Sequence, residues 1–119
     1  MVNWRAVLIG FGIELVLGIV GFAVPILGHL TAAIVGGFAA GYIARGGVGN
    51  GAWHGLLAGA FGGLVIALVV GIGGSALLAV FGGPGGLLGG LGITAVAVVL
   101  WFVLSIPSAV GGALGAALA

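Results

Sequence analysis

Glu14 is the only acidic side chain in this chain of 119 residues, and Arg5 and Arg45 are the only other charges. A carboxyl can hold a proton, attract a cation or accept hydrogen bonds. His29 and His54 add the two side chains whose ordinary titration falls near neutrality. Cysteine is absent, which excludes disulfides, thiolate metal sites and cysteine nucleophiles. Glu14, His29 and His54 fall at three different depths of the predicted elements, so neither a metal site nor an acid–base pair is expected within one protomer. The loop Gly46 to Gly51 has the glycines of a phosphate cradle but no Lys, Ser or Thr, and no strand precedes it. We expect no catalytic residue, no cofactor and no enzyme.

The elements that must position Glu14 are those of a membrane protein. Hydrophobic residues make up 63% of the chain and charged residues 3%, against roughly 25% charged in a soluble domain. So few charges cannot build a water-facing surface, and lipid is the expected solvent. A net charge of +1 offers no basic patch to nucleic acid. Arg5 followed by an apolar run has the outline of a signal peptide. Glu14 interrupts that run and the sequence begins at Met1, so the segment is expected to stay as a membrane helix.

Four spans are predicted in one all-α domain. The first runs from about 3 to 23 and stops before Pro25, because the residue before proline is pushed out of helical geometry. The second covers about 27–44. The third starts near Gly51, and its apolar pattern continues to Phe81; 31 residues make ~46 Å of helix against ~30 Å of hydrocarbon. It must tilt, protrude or break, and Gly71-Ile72-Gly73-Gly74 is the expected break. The run Gly82-Gly83-Pro84-Gly85-Gly86 is a turn, and a fourth span covers about 87–106. After Pro107 the apolar tail 108–119 is a kinked continuation, an interfacial helix or a segment folded back on the bundle. With four spans, Arg5 and Arg45 share one side with both termini, which the positive-inside rule makes cytoplasmic. Trp4, Tyr42, Trp53 and His54 fall at that level as an interface belt, with Trp101 a candidate to join it. Arg5 and Arg45 are candidates for lipid-headgroup contact.

Glycine fills 29 positions. Between helices in lipid, attachment depends on close backbone approach, which small residues permit. From Gly51 every fourth residue is small: Gly51, Gly55, Gly59, Gly63, Ala67, Gly71, Ser75, Ala79, Gly83. A repeat of four rotates about 40° per step on a helix of 3.6 residues per turn, so a straight partner follows only Gly51 to Gly63. Beyond that the stripe serves a second neighbour or reflects composition. Gly36, Gly37 and Gly41 in the second span, and Gly10 and Gly18 flanking Glu14, are further candidates for a glycine-zipper bundle.

Counted from Trp4, Glu14 lies ~15 Å deep, near the midplane and level with Gly36, Gly37 and Gly59 to Gly63. Neither arginine reaches it, and burial disfavours the charged form, so the neutral acid is expected. It would need an acceptor for its proton, and carbonyls bared by glycine are the nearest. One reading makes Glu14 an interhelical hydrogen-bonding strut. Another makes it a carboxyl on a proton, ion or substrate path. Ser75, Thr94 and Ser105 are expected to bond to carbonyls of their own helices.

The runs Gly36-Gly37-Phe38-Ala39-Ala40-Gly41-Tyr42-Ile43-Ala44 and Gly51-Ala52-Trp53-His54-Gly55-Leu56-Leu57-Ala58-Gly59, with the opening Asn3-Trp4-Arg5-Ala6-Val7-Leu8-Ile9-Gly10, resemble a family of small, uncharacterised, glycine-rich membrane proteins of halophilic archaea. The resemblance covers roughly the first 65 residues and implies a four-helix membrane protein without an assigned activity. In architecture the chain is also similar to small multidrug exporters, which carry a proton-exchanging glutamate in the first of four helices, the place Glu14 takes here. It departs from them in having few aromatic residues around the glutamate, Phe11 alone within a turn of it, and in its glycine content. The expected function is a structural or assembly role in the membrane, as a homo-oligomer or a small subunit of a larger complex; the alternative is a proton-coupled transporter or channel using Glu14.

Overall fold

The computed structural model describes the backbone of residues 1–119 and every side chain except those of Leu100 and Leu104. Among the described residues there is no strand. Four helices follow one another: α1 (Trp4–Gly21), α2 (Pro25–Ala44), α3 (Val48–Leu104) and α4 (Ile106–Ala117). Three apolar helical stretches are long enough to cross a membrane: α1, α2, and α3 running on into α4. Helix suits so apolar a chain because it pairs each backbone N–H and C=O within its own segment.

The helix ends follow local chemistry. The Asn3 side-chain oxygen caps α1 by accepting the Ala6 N–H at 3.3 Å. Pro25 begins α2 rather than merely ending α1: at a first helical position its missing N–H costs nothing. Arg45, Gly46 and Gly47 all have positive φ (57°, 83° and 95°), and α3 starts directly after them at Val48, earlier than the sequence pattern places it.

Straightened, the 57 residues of α3 would reach about 85 Å, yet the molecule's longest dimension is 52 Å. The helix doubles back at Gly83, whose φ of 59° and ψ of −146° suit a residue without Cβ. Pro84 follows and opens the second arm, three residues before the expected Leu87. The arms run antiparallel in close contact. Gly86 lies on the backbone of Leu78, Gly90 on Ser75, Gly71 on Thr94 and Gly63 on Trp101. The expected break at Gly71-Ile72-Gly73-Gly74 does not occur, and the helix passes through it. Glycine weakens a helix by only about 1 kcal/mol per residue, and Gly71 is the seat for the Thr94 side chain.

Of the three arrangements open to the tail, the fold takes the inward one. At Ser105 the chain bends into α4, which inserts between α2 and α3. A methyl group on Gly37 or Gly55 would collide with the Ser108 carbonyl, and one on Gly41 or Gly51 with that of Gly112. In return, Gly111 lies on Ile34 and Gly115 on Phe38. The fully buried Ser108 hydroxyl donates to the Gly55 carbonyl at 2.7 Å. α4 and the second arm of α3 thus form one bent return segment. It follows the four-residue stripe from Gly51 past Gly71, because its bend at Ser105 lets it turn with the stripe where a straight helix could not.

Small residues fill the interior. The buried hydrophobic residues are Ala6, Val7, Ala32, Ala40, Ala58, Ala67 and Ala116, whereas Val16, Ile19, Val69, Ile72, Val80, Leu88 and Val99 are all more than half exposed. This inverts the distribution of a water-soluble protein and matches helices held by close backbone approach. Gly112→Ala, which places a methyl against the α3 backbone at Gly51 and Gly55, should destabilise the bundle by about 3 kcal/mol, as overpacking does at its costly end. Gly73→Ala, with nothing within 4 Å, should be neutral or stabilising. Thermal unfolding of both variants in detergent checks the pair.

Candidate functional site

Glu14 sits on α1 where that helix meets α2 and the first arm of α3. Gly36 makes the room. A methyl there would lie 3.1 Å from Glu14 Cβ and overlap Cγ, so the acidic side chain occupies the space a larger residue would take. A methyl on Gly62 would stand 3.3 Å from Glu14 Oε2 and 3.5 Å from the Phe11 ring. The carboxyl is therefore bracketed by two glycines, one from each neighbouring helix.

Its hydrogen bonding differs from expectation. Oε1 is buried and no hydrogen-bond partner is found for it among the described residues. Gly36 gives Glu14 space rather than a carbonyl, and Gly37 faces Ser108 instead. The Ser108 hydroxyl lies beside the carboxyl, but its proton goes to the Gly55 carbonyl. A buried oxygen left in this state costs roughly 1–3 kcal/mol. A polar neighbour of the carboxyl on another helix is thus Ser108 of α4.

Glu14 lines a cavity of about 510 Å³ between the α1–α2 pair and the two arms of α3. Most of the wall is apolar: Leu15, Ile19, Ile66, Val70 and Ile93 are representative. The polar groups are few, namely Glu14, His29, Ser75, Thr94 and the indole of Trp101. Ser75 and Thr94 are joined across the arms at 3.3 Å, and Thr94 also donates to Gly90 O at 2.8 Å. Ser75 thus bonds across the hairpin rather than to its own helix, whereas Thr94 and Ser105 do bond within theirs. His29 contacts Pro25 O at 2.6 Å through Nδ1 and packs edge-on against Phe22. The cavity places Glu14 and His29 in one enclosure although they lie far apart along α1 and α2.

His54 leaves the interface belt altogether. It is 1% exposed. Nε2 accepts the Asn3 N–H at 2.9 Å, so the ring proton must sit on Nδ1, which meets Asn50 O at 2.7 Å. His54 therefore ties the start of α1 to α3. An amide needing an acceptor draws the ring inward, a pairing invisible across 51 positions of sequence. Trp4, Tyr42 and Trp53 are each about half exposed, and Arg5 and Arg45 are exposed. Trp101 lies in the cavity wall against Gly63 rather than in the belt. The glycines singled out in the sequence are in contact inside the protomer: Gly10 against Ala40 and Ala58, Gly51 and Gly55 against α4, Gly59 against Ser108. Gly18 is the exception, lining the cavity with nothing within 4 Å. Ser108 and Asn3 were missed as site residues. The one available signal was Ser108's position just after Pro107 in an otherwise apolar tail.

Among the described residues no three His, Asp or Glu side chains group to hold a metal ion. His54→Phe keeps the ring but removes the acceptor. It should cost about 1–3 kcal/mol through the stranded Asn3 amide, and hydrogen exchange should show reduced protection confined to the first turn of α1.

The sequence matches the model of a family of unknown function over residues 4–118. No curated protein and no solved structure matches the chain.

Proposed function

We propose, for a chain that belongs to the DUF5518 family of unknown function, a non-enzymatic assembly role in the membrane, exercised by self-association of a four-span bundle. In this reading the arms of α3 on either side of Gly83 count as separate crossings. Both termini, Arg5 and Arg45 lie on the cytoplasmic side, where two arginines against none set the orientation.

The open glycine face of the α3 hairpin carries this reading. Gly51, Gly55, Gly59, Gly63 and Gly71 are filled by the return segment and are not free for a partner. Gly85, Gly89 and Gly92 have nothing within 4 Å, and Gly89 and Gly92 line a shallow groove with Ile93, Val96 and Ala97. Their spacing of four and three residues puts them on one helix face. Hairpin length supports the same conclusion. Gly10 lies against Ala58 and Glu14 against Gly62, so the end of α1 at Gly21 is level with about residue 69 of α3. From there α3 continues to its turn at Gly83 for roughly 20 Å more. Val80, Phe81 and Leu88 on that projection are 77%, 87% and 70% exposed. A second copy seated on the glycine face would cover apolar surface that reaches past the α1–α2 turn.

Gly89→Leu and Gly92→Leu should each convert the assembled form to monomer at unchanged helical content, read by cross-linking in native-like bilayers and by mass in nanodiscs. A wild-type monomer, or unaltered assembly in both variants, would remove this reading.

A second reading, proton-coupled passage of a substrate, is favoured by one observation: Glu14, the only carboxyl side chain of the sequence, lines a cavity. It predicts that Glu14→Gln abolishes a proton-driven flux in proteoliposomes while assembly is retained.

A further inference from the structure

The two hairpins of this fold differ in length, yet they are packed as one body. From Trp4 to Gly21, α1 rises about 26 Å, close to the ~30 Å of hydrocarbon in an ordinary bilayer. The contacts of Gly10 with Ala58 and Glu14 with Gly62 set Trp4 level with the start of α3 beside Trp53. From Trp53 the first arm runs unbroken to its turn at Gly83, a length of about 45 Å. Fitting that arm into ~30 Å by tilt alone needs an angle near ~50°, beyond the roughly 0–40° that transmembrane helices adopt. Such a tilt would also tip the attached α1–α2 pair out of its own match.

The surplus length is apolar on every side. From Ala76 to Ile93 no side chain carries a nitrogen or an oxygen. Within 76–91 only Gly90 is buried, and only Ala79 and Gly86 are half-buried, where the two arms meet. A protein seated on the glycine face covers one flank of such a hairpin, whereas liquid hydrocarbon covers all of them. The α1–α2 turn, about 20 Å short of the Gly83 tip, has the same character. Phe22, Val24, Ile26 and Leu27 are more than half exposed, and residues 22–28 include no polar side chain. The turn also closes much of its own backbone. The Phe22, Ala23 and Val24 N–H groups donate to the Ile19, Val20 and Gly21 carbonyls at 3.3, 3.3 and 3.0 Å, and the Thr31 hydroxyl donates to Leu27 O at 2.7 Å. Pro25 has no N–H to place. His29, the one ionisable group at this level, bonds to Pro25 O and packs on Phe22 along the cavity wall. Both arginines and both asparagines lie at the opposite end of the molecule.

We propose that the α3 hairpin matches a hydrocarbon layer of about 45 Å, half as thick again as an ordinary one, and that its partner is lipid with long acyl chains. The Gly83 turn then sits among the outer head groups, where the open backbone groups of two helix ends find hydrogen bonds. The α1–α2 turn stops inside the hydrocarbon. Long-chain lipid covers apolar surface that shorter lipid leaves to water, so chain length is the property selected.

The inference rests on the membrane placement in the proposed function but not on self-association. The full wild-type chain is reconstituted in vesicles of equal parts dioleoyl- and dinervonoyl-phosphatidylcholine, which share a head group and differ in chain length. Native nanodiscs are cut from them with a styrene–maleic copolymer, and the lipid retained with the protein is counted by mass spectrometry. Enrichment of the dinervonoyl lipid by about threefold over the starting mixture is expected. A shell with the composition of the mixture overturns the proposal. Depth is read separately by spin labels. The sequence has no cysteine, so Leu77→Cys and Ile26→Cys, both at exposed positions, each supply a single nitroxide site. In dinervonoyl bilayers both labels should be open to oxygen and closed to a water-soluble nickel chelate. Chelate access at Leu77→Cys would put the hairpin tip in water, and at Ile26→Cys the α1–α2 turn; either overturns the proposal. The lipid count stands on the wild type even if a labelled variant fails to fold. A wild-type monomer with an enriched shell would remove the assembly reading and leave this one intact. Assembly within an unenriched shell would do the reverse.

Discussion

The backbone-to-backbone contact of α4 with α2 and α3 is the constraint on which the rest of the structure depends. Gly37, Gly41, Gly51 and Gly55 admit the carbonyls of Ser108 and Gly112 at a range no Cβ allows. In a bilayer, with which these long apolar helices are compatible, apolar side chains gain little by leaving lipid for one another, and association rests on dispersion across closely apposed backbones, with weak Cα–H···O contacts. Each such contact depends on a hydrogen atom standing where any other residue places carbon. This explains a core built of alanine and an exterior built of valine, leucine and isoleucine.

α4 sets the position of everything around the carboxyl. Its Ser108 fills the junction of Gly37, Gly55 and Gly59, and that fixes the separation of α2 from the first arm of α3. Glu14 enters the adjoining gap from α1, between Gly36 and Gly62. The hydroxyl that approaches it is already spent on Gly55 O. One carboxyl oxygen is thereby left without a hydrogen-bond partner among the described residues. Beyond the level of Ser105, α4 no longer fills the centre. The α3 hairpin and the α1–α2 pair then separate around the cavity.

Two ends of the molecule behave differently for the same physical reason. At the end that holds the termini, polar groups are few but paired: Asn3 caps α1, His54 accepts the Asn3 amide, and the Asn50 side chain donates to Arg45 O. Arg45 itself takes φ of 57° and ψ of −166°, a conformation costly for a residue with Cβ. The Asn50 bond and the start of α3 at Val48 hold it there. Among the described residues the turn of the α3 hairpin has no such clasp, only Gly83 and a long apolar surface.

Several features were legible in the sequence because they follow from composition and local chemistry. These include the all-helical class, the apolar stretches of α1 and α2, the stop near Pro25 and the turn at Gly82 to Gly86. The isolation of Glu14 from both arginines belongs with them. Each depends on residues within a few positions of one another or on the near absence of charge. Tertiary structure decided what lay beyond that range. Whether Gly71 to Gly74 breaks or packs depends on Thr94, and whether His54 faces water depends on an amide 51 residues away. The tail was ambiguous because a glycine-rich apolar segment suits an interface and a core equally. Only the stripe on α3, turning where a straight neighbour cannot follow, made the bent return segment its match.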